Sequence, residues 1–149
     1  MITKWARKDE DQRILLTDDA TRLTLDTIAL CTMDFRFNSF YSESMHPFVD
    51  AMLAWLTTSQ KRGQQPALMN KWLGSADATR LQENFALMEA VAQQIIDKRR
   101  ANPKDKKDML NTLLYGKDPK TGAVMRDGLI IAEMLTFLIA GKCFVLQQY

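Results

Sequence analysis

The segment Leu129-Ile130-Ile131-Ala132-Glu133-Met134-Leu135-Thr136-Phe137-Leu138-Ile139 constrains the fold more than any other part of the chain. Its apolar residues cover nearly the whole circumference of a helix, and such a helix is stable only where other elements pack around it. A chain that contains it must supply apolar partners on several sides. A membrane span is the alternative, since Leu129 to Leu146 approaches the roughly 20 apolar residues that a span needs. Glu133 and Lys142 interrupt the run. Because a charge at mid-bilayer costs about 2.5–3.5 kcal/mol even on lenient scales, no transmembrane segment is expected.

The rest of the chain reads as helical partners. Gly (6) and Pro (4) are scarce, and the stretches between them have helical rather than alternating periodicity. A first helix is expected over Asp18–Met33. Thr17 or Asp18 would cap it, the acidic pair Asp18-Asp19 suits its positive end, and Leu23, Thr27, Leu30 and Cys31 share a face with Ile28 beside them. His46-Pro47 opens the next helix, which runs to about Lys61; Pro47 suits the first position because that amide has no helical partner. Phe48, Met52, Trp55, Leu56 and Ser59 fall to one side of it. Arg62-Gly63-Gln64-Gln65-Pro66 reads as a break, and Ser75 as the cap of the strongest helix, Ala76–Ala101. In that helix Leu81, Phe85, Met88, Ala92 and Ile95 step by four, three, four and three residues, one continuous stripe. Asn102-Pro103 stops it.

A shorter helix follows over Lys107–Tyr115 and ends at Gly116, and the long apolar helix starts near Asp127. Between them Asp118-Pro119-Lys120-Thr121-Gly122 reads as a tight turn joining two very short strands, a short hairpin near 116–126 in an otherwise all-α chain. No internal repeat or low-complexity linker divides the 149 residues, so one domain's worth of sequence is expected.

Charge and composition exclude several functions. Twenty Lys plus Arg against 18 Asp plus Glu leave +2, too weak a field for nucleic acid to be the main partner. One histidine and two cysteines rule out a multi-histidine or four-cysteine metal site and a disulfide scaffold. The N-terminus Met-Ile-Thr-Lys-Trp-Ala-Arg-Lys lacks the apolar core of a secretory signal, so a cytoplasmic setting is expected. No glycine-rich phosphate loop and no H-E-x-x-H occurs.

Local motifs are weak on their own. His46 beside Pro47 is most simply a residue at the start of a helix, since no serine or cysteine stands near it as a nucleophile. Lys98-Arg99-Arg100 with Lys104, Lys106 and Lys107 is interleaved with Asp97, Asp105 and Asp108; it reads as a solvated helix end, or as a docking patch for an acidic partner. Nine methionines suit either a core or an adaptable apolar pocket. Glu10-Asp11-Gln12-Arg13 has a Glu-x-x-Arg spacing of the kind that chance supplies often. Phe137-Leu138-Ile139-Ala140-Gly141 carries an apolar helix to a pair of small residues, where either another helix or a flat cofactor can approach the backbone.

Longer strings carry more. Asp18-Asp19-Ala20-Thr21-Arg22-Leu23-Thr24-Leu25-Asp26-Thr27-Ile28-Ala29-Leu30-Cys31, then Arg36-Phe37-Asn38-Ser39-Phe40-Tyr41 and His46-Pro47-Phe48, resemble the haem domain of self-sufficient cytochrome P-450 fatty-acid hydroxylases. These are fused monooxygenase–reductase proteins of bacilli and filamentous fungi, the fungal branch being the nearer. Asp108-Met109-Leu110-Asn111 with Gly116-Lys117-Asp118-Pro119-Lys120-Thr121-Gly122, and Leu135-Thr136-Phe137-Leu138-Ile139-Ala140-Gly141, agree in order and spacing. The resemblance covers Trp5 to Gly141 and implies the middle of a haem domain, from within helix D through E, F, G and H into the first part of helix I. Residues 1–141 would then be the central portion of that domain and 142–149 an unrelated tail.

What the resemblance implies for function follows by position. Phe48, Met52, Leu56 and Ser59 look like the side of helix F that borders a fatty-acid channel, and Phe137, Ala140 and Gly141 like the part of helix I against haem and substrate. The cofactor would be haem; FAD and FMN would belong to the fused reductase domain, which would also be the partner. After Ala-Gly the family pattern places an acid and a threonine that help deliver protons to dioxygen, whereas this chain has Cys143 and Phe144 there. The iron ligand of the family is a thiolate in a cysteine loop, and neither Cys31 nor Cys143 has that setting. By itself the chain is expected to be inactive and to self-associate through the uncovered apolar helix. A small helical module that binds lipid or protein through Phe48, Met52, Leu56 and the Leu81–Ile95 stripe is the alternative.

Overall fold

The structure, a computed structural model, describes residues 16–42, 44–64 and 67–146, with the side chains at 62, 64, 67–76 and 142–146 left aside. Five helices make up the fold: α1 Leu16–Met33, α2 Pro47–Gln64, α3 Ala67–Ala101, α4 Met109–Tyr115 and α5 Asp127–Leu146. The class is all-α. Among the described residues the 116–126 segment forms a single antiparallel bridge, Lys117 to Val124, rather than strands. Its turn is set by Asp118, whose carboxylate accepts from the Lys120 and Thr121 amides at 2.7 and 3.0 Å, and by Gly122 at φ +70°. The Glu10–Arg13 string lies outside the described residues.

α5 lies against α1, α3 and α4, while α2 packs chiefly on α3. Their shared core holds Leu25, Ala29, Phe48, Ile96, Leu110 and Leu138 among its fully buried side chains, with Met33, Met52, Met88 and Met134 filling the gaps between them. Burying each large side chain contributes roughly 1.5–3 kcal/mol.

Two expectations need correction. On α1 the core side is Thr21, Leu25, Ala29 and Met33, not the Leu23–Thr27–Leu30–Cys31 side; Thr27 and Cys31 are exposed. A glycine on α5 allows a close approach: a Cβ added at Gly141 would overlap the terminal methyl of Ile28 on α1. On α3 the helix starts at Ala67, so Ser75 is inside it and not its cap. Ala67 to Leu73 are mostly good helix formers, and one interior glycine, Gly74, costs only about 1 kcal/mol.

The α1–α2 connection is irregular yet held at four of its backbone groups by two side chains of α1 one turn apart. The Asp26 carboxylate accepts from the Ser39 and Phe40 amides at 3.4 and 3.0 Å, and Arg22 Nη1 donates to the Ser39 and Ser42 carbonyls at 3.1 and 3.3 Å. Asp34 and Asn38 take φ +53° and +54°, a conformation that short polar side chains tolerate. The first of these ends α1 and turns the chain so that Phe35 and Phe37 fold back; Phe37 stacks on Phe48 with ring centroids 4.8 Å apart.

A buried ion pair closes the other end. Arg99 continues the stripe of Met88, Ala92 and Ile95 by one turn and is only 5% exposed. Its guanidinium meets both carboxylate oxygens of Asp108 at 2.7 and 2.9 Å, the Asn111 side-chain oxygen at 2.7 Å and the Met33 carbonyl at 3.0 Å. Asp108 is also the N-cap of α4, accepting from the Asn111 amide. Arg100, one residue on, makes a two-bonded pair with Asp127 at the start of α5, 2.6 Å on each side. Lys104 and Lys106 both bind Asp34. Four of the six cations in the basic run are thus engaged within the chain, which weakens the docking-patch reading.

Burial would raise the Asp108 carboxyl, but hydrogen bonds from Arg99 and from the Asn111 amide outweigh it and hold it below 3.8. The lysine hydrogen bonds likewise hold Asp34 far below its ordinary range. Carboxyls depressed on folding stabilise the protein above the unfolded value near 3.8, and that contribution is lost as pH falls from there through the folded values. Arg99→Met, which strands a buried carboxylate, should cost about 3 kcal/mol or more in urea unfolding. Asp108→Asn should cost less, because its carbonyl still accepts, and should flatten the acid limb of the stability–pH curve; an unchanged acid limb would contradict the assignment. Gly141→Leu should cost roughly 1–3 kcal/mol by overpacking, partly recovered by Ile28→Ala, with Gly141→Ala near neutral. A harmless Gly141→Leu would mean that α1 and α5 do not meet so closely.

Candidate functional site

The residues singled out by sequence separate into two groups on two helices. On α5 the side turned toward α1, α3 and α4 carries Ile130, Ile131, Met134, Leu135 and Leu138, all buried. The opposite side carries Leu129, Ala132, Thr136, Phe137 and Ala140, all exposed, at spacings of three, four, one and three. Leu129 is 51% and Phe137 48% exposed. An apolar stripe this long, open to water on the most apolar helix of the chain, is the mark of a surface shaped for a further apolar partner. The expectation of a helix buried all round therefore fails on this one side.

The geometry of the stripe is that of a flat wall. Ala132 and Ala140 have nothing beyond Cβ, and the Thr136 hydroxyl folds back onto the Ala132 carbonyl at 2.8 Å, leaving its methyl as the outward part. Phe137 is the one bulky residue in the middle. Gly141 does not share this face. It faces Ile28 of α1 and works in helix packing, one of the two uses that small residues at this point allow. Phe137 and Ala140 thus stand together, and Gly141 is turned away from them.

On α2, Phe48 and Met52 are fully buried, and Leu56 and Ser59 are half-buried. The two buried residues act as core: Phe48 stacks on Phe37, and Met52 belongs to the same cluster as Met88 and Ile96. Clefts lie elsewhere. One of about 340 Å³ lies between the end of α1 and the end of α3, bordered by Met33, Phe35, Ile95 and Lys98. Another of about 400 Å³ runs beside α4 and the 117–124 turn.

A haem would meet an open, apolar face at Phe137 and Ala140, and no thiolate set in a cysteine loop stands among the described residues. Cys31 is an exposed thiol on α1, and the side chain of Cys143 lies outside the described residues. Among the described residues no cluster of three or more His, Cys, Asp or Glu is arranged to hold a metal ion, and no helix is long and apolar enough to cross a membrane.

Sequence reasoning missed the residues that hold this frame. Arg99 and Asp108 read only as helix-end charges, although Arg99 sits one turn beyond Ile95 on the core stripe. Arg22 and Asp26 belong to the long string Asp18–Cys31, and their grip on Ser39 and Phe40 explains why that string and Arg36–Tyr41 occur together.

Comparison with known proteins places the chain. The Cytochrome P450 family pattern matches residues 1–142. A bifunctional cytochrome P450/NADPH–P450 reductase of Aspergillus oryzae is 51% identical over 141 residues, 95% of this chain and 13% of that protein. Self-sufficient cytochrome P450 monooxygenases of Phanerodontia chrysosporium and Aspergillus terreus are 47% and 50% identical over 141 and 142 residues, again 95% of this chain and 13% of theirs. The chain therefore spans about an eighth of the length of these relatives, all of it within a family whose cofactor is haem. By the family match and by identities near one half, the chain belongs to the cytochrome P450 family.

Proposed function

We propose that these residues form one side of the haem and substrate pocket of a self-sufficient monooxygenase that hydroxylates long-chain fatty acids, with α1 to α4 as helices E, F, G and H and α5 as the first part of helix I. The observation that supports it best is the open apolar stripe Leu129–Ala140 on an otherwise buried helix. Haem, when bound, supplies the activation of dioxygen for insertion into a C–H bond. The chain's part is positional. Ala140 gives the macrocycle room against the helix backbone, and Phe137 borders the apolar substrate beside it. α2 contributes Leu56 and Ser59 from its half-buried side, with Phe48 and Met52 fixing that helix from within.

Residues 1–141 belong to the haem domain in this reading and 142–149 to an unrelated tail, in keeping with a family match that reaches residue 142. The electron-supplying partner is a reductase domain, as the name of the Aspergillus oryzae relative suggests; in this reading it carries FAD and FMN, and the setting is cytoplasmic. Phe144, at the position of the family's threonine, has no hydroxyl to pass a proton toward bound dioxygen. These 149 residues expressed alone are accordingly inactive and associate through the α5 stripe.

The test is a chimera of the Aspergillus oryzae relative in which the matching segment is replaced by residues 1–141. Haem incorporation and NADPH-dependent hydroxylation of a long-chain fatty acid should survive, and Ala140→Trp in that chimera should reduce haem content or turnover at least tenfold. Full activity of the Ala140→Trp chimera, or hydroxylation by the 149-residue chain on its own, would overturn the reading. A lipid-binding module without chemistry predicts instead fatty-acid affinity in the isolated chain, unaffected by Ala140→Trp.

A further inference from the structure

His46 precedes Pro47, the first residue of α2, and occupies the N-cap position. A helix start leaves its first amides without partners, and each must find one. Pro47 has no amide hydrogen. The Val49 and Asp50 amides both donate to the His46 carbonyl, at 2.8 and 3.2 Å. That leaves the Phe48 amide, which donates to the His46 ring at Nδ1, 3.2 Å away. A ring nitrogen performs here the task usual for an Asp, Asn or Ser oxygen. Because the amide is a donor, Nδ1 must be the unprotonated nitrogen, and the ring proton sits on Nε2.

The ring is held from several sides. The backbone amide of His46 donates to Ser39 Oγ at 3.2 Å, and Ser39 is fully buried. Its imidazole lies 5.2 Å from the Phe37 ring and 6.4 Å from that of Phe35, and Phe37 in turn stacks on Phe48. One ring thus joins the connecting segment to the first turn of the helix.

We propose that His46 is an acid-sensitive cap, whose neutral imidazole closes the first turn of α2 and whose protonation opens it. A proton on Nδ1 would set two donors against each other at the Phe48 amide. It would also add a positive charge to the positive end of the helix. The charged groups on the surrounding elements are Asp18, Asp19, Arg22 and Asp26 on α1, Asp34 and Arg36 on the connecting segment, and Asp50 in the first turn of α2; Asp34 is paired with Lys104 and Lys106, and Glu43, also of that segment, lies outside the described residues. Arg22 is bound to the Ser39 and Ser42 carbonyls and Asp18. Asp26 favours the imidazolium, but its carboxylate is occupied by the Ser39 and Phe40 amides, and burial outweighs it, so that the imidazole titrates below its ordinary 6.5. The sign follows. The cap's contribution is complete above 6.5 and is lost as pH falls from there through the lower folded value. His46 is the chain's one histidine, so no other side chain with an ordinary pKa changes charge in that window.

The device concerns α2 alone and holds whether or not the haem reading does. Its test is amide hydrogen exchange of the intact 149-residue chain, corrected for the intrinsic pH dependence of exchange, together with the NMR titration of the single imidazole. Protection of the Phe48 amide should fall roughly fivefold to tenfold, the worth of a typical N-cap. The fall should begin near pH 6.5 and level off below the midpoint of the native His46 titration. His46→Asn, which keeps a capping oxygen that does not titrate, should hold its protection throughout. Equal loss in His46→Asn would assign the effect to the carboxylates and overturn the proposal, as would protection in the native chain that is constant across the imidazole titration. Should His46→Asn not fold, a fall in protection that continues well below the native His46 midpoint decides the matter against the cap.

Discussion

The Arg99 guanidinium is the interaction on which the arrangement of helices depends. It reaches the last carbonyl of α1, the capping carboxylate of α4 and the Asn111 side chain at once, from a position on the core stripe of α3. Asn111 in turn donates to the Lys104 and Lys106 carbonyls, so the connection between α3 and α4 folds around the same point. Its neighbour Arg100, turned about 100° around the helix, ties the same end of α3 to Asp127 at the start of α5. Two consecutive arginines thus set three helices relative to a fourth. A buried ion pair of this kind adds little net stability, because desolvation offsets most of the attraction. Its directional bonds leave few other ways to join these chain segments.

With that end clamped, the direction of α5 is set, and with it the side left open. Ile130, Met134 and Leu138 are fixed inward by α3 and by the close approach of Gly141 to Ile28. Leu129, Phe137 and Ala140 then have no choice but to face outward. The open face of α5 is in this sense a consequence of packing: a glycine on one side of the helix brings α1 close, and an alanine on the other, in the proposed reading, leaves room for a flat partner. One small residue works in each direction, which is why the pair Ala140-Gly141 resists division into a single role.

Much of the architecture was legible because it rests on local rules. Helix periodicity located α2, α4 and α5 to within a few residues, and the turn chemistry of Asp118–Gly122 located the 117–124 bridge. Cysteine and histidine counts excluded whole classes of site. What escaped depends on long-range geometry. The inward side of α1 could not be read from apolar spacing, since two of its buried residues, Thr21 and Ala29, carry little hydrophobic area while Leu23 and Leu30 lie off it. Ser75 suggested a helix start that the helix-forming residues before it override. The basic run looked like a solvated surface until its carboxylate partners, Asp34, Asp108 and Asp127, were brought to it from three other segments. The α5 face was legible only through the resemblance, because an all-apolar helix does not announce which side its own chain will cover.

The measurement that bears most directly on this account is thiol labelling on α5, with Cys31 and Cys143 replaced by serine. Ala140→Cys should react freely in the chain diluted to the monomer and become shielded when the same residues sit in the haem-loaded domain of the Aspergillus oryzae relative. Met134→Cys on the inward side should be shielded in both. Equal reactivity at position 140 in the two settings, or free reactivity at 134 in the folded chain, would contradict the assignment of that face to the haem pocket.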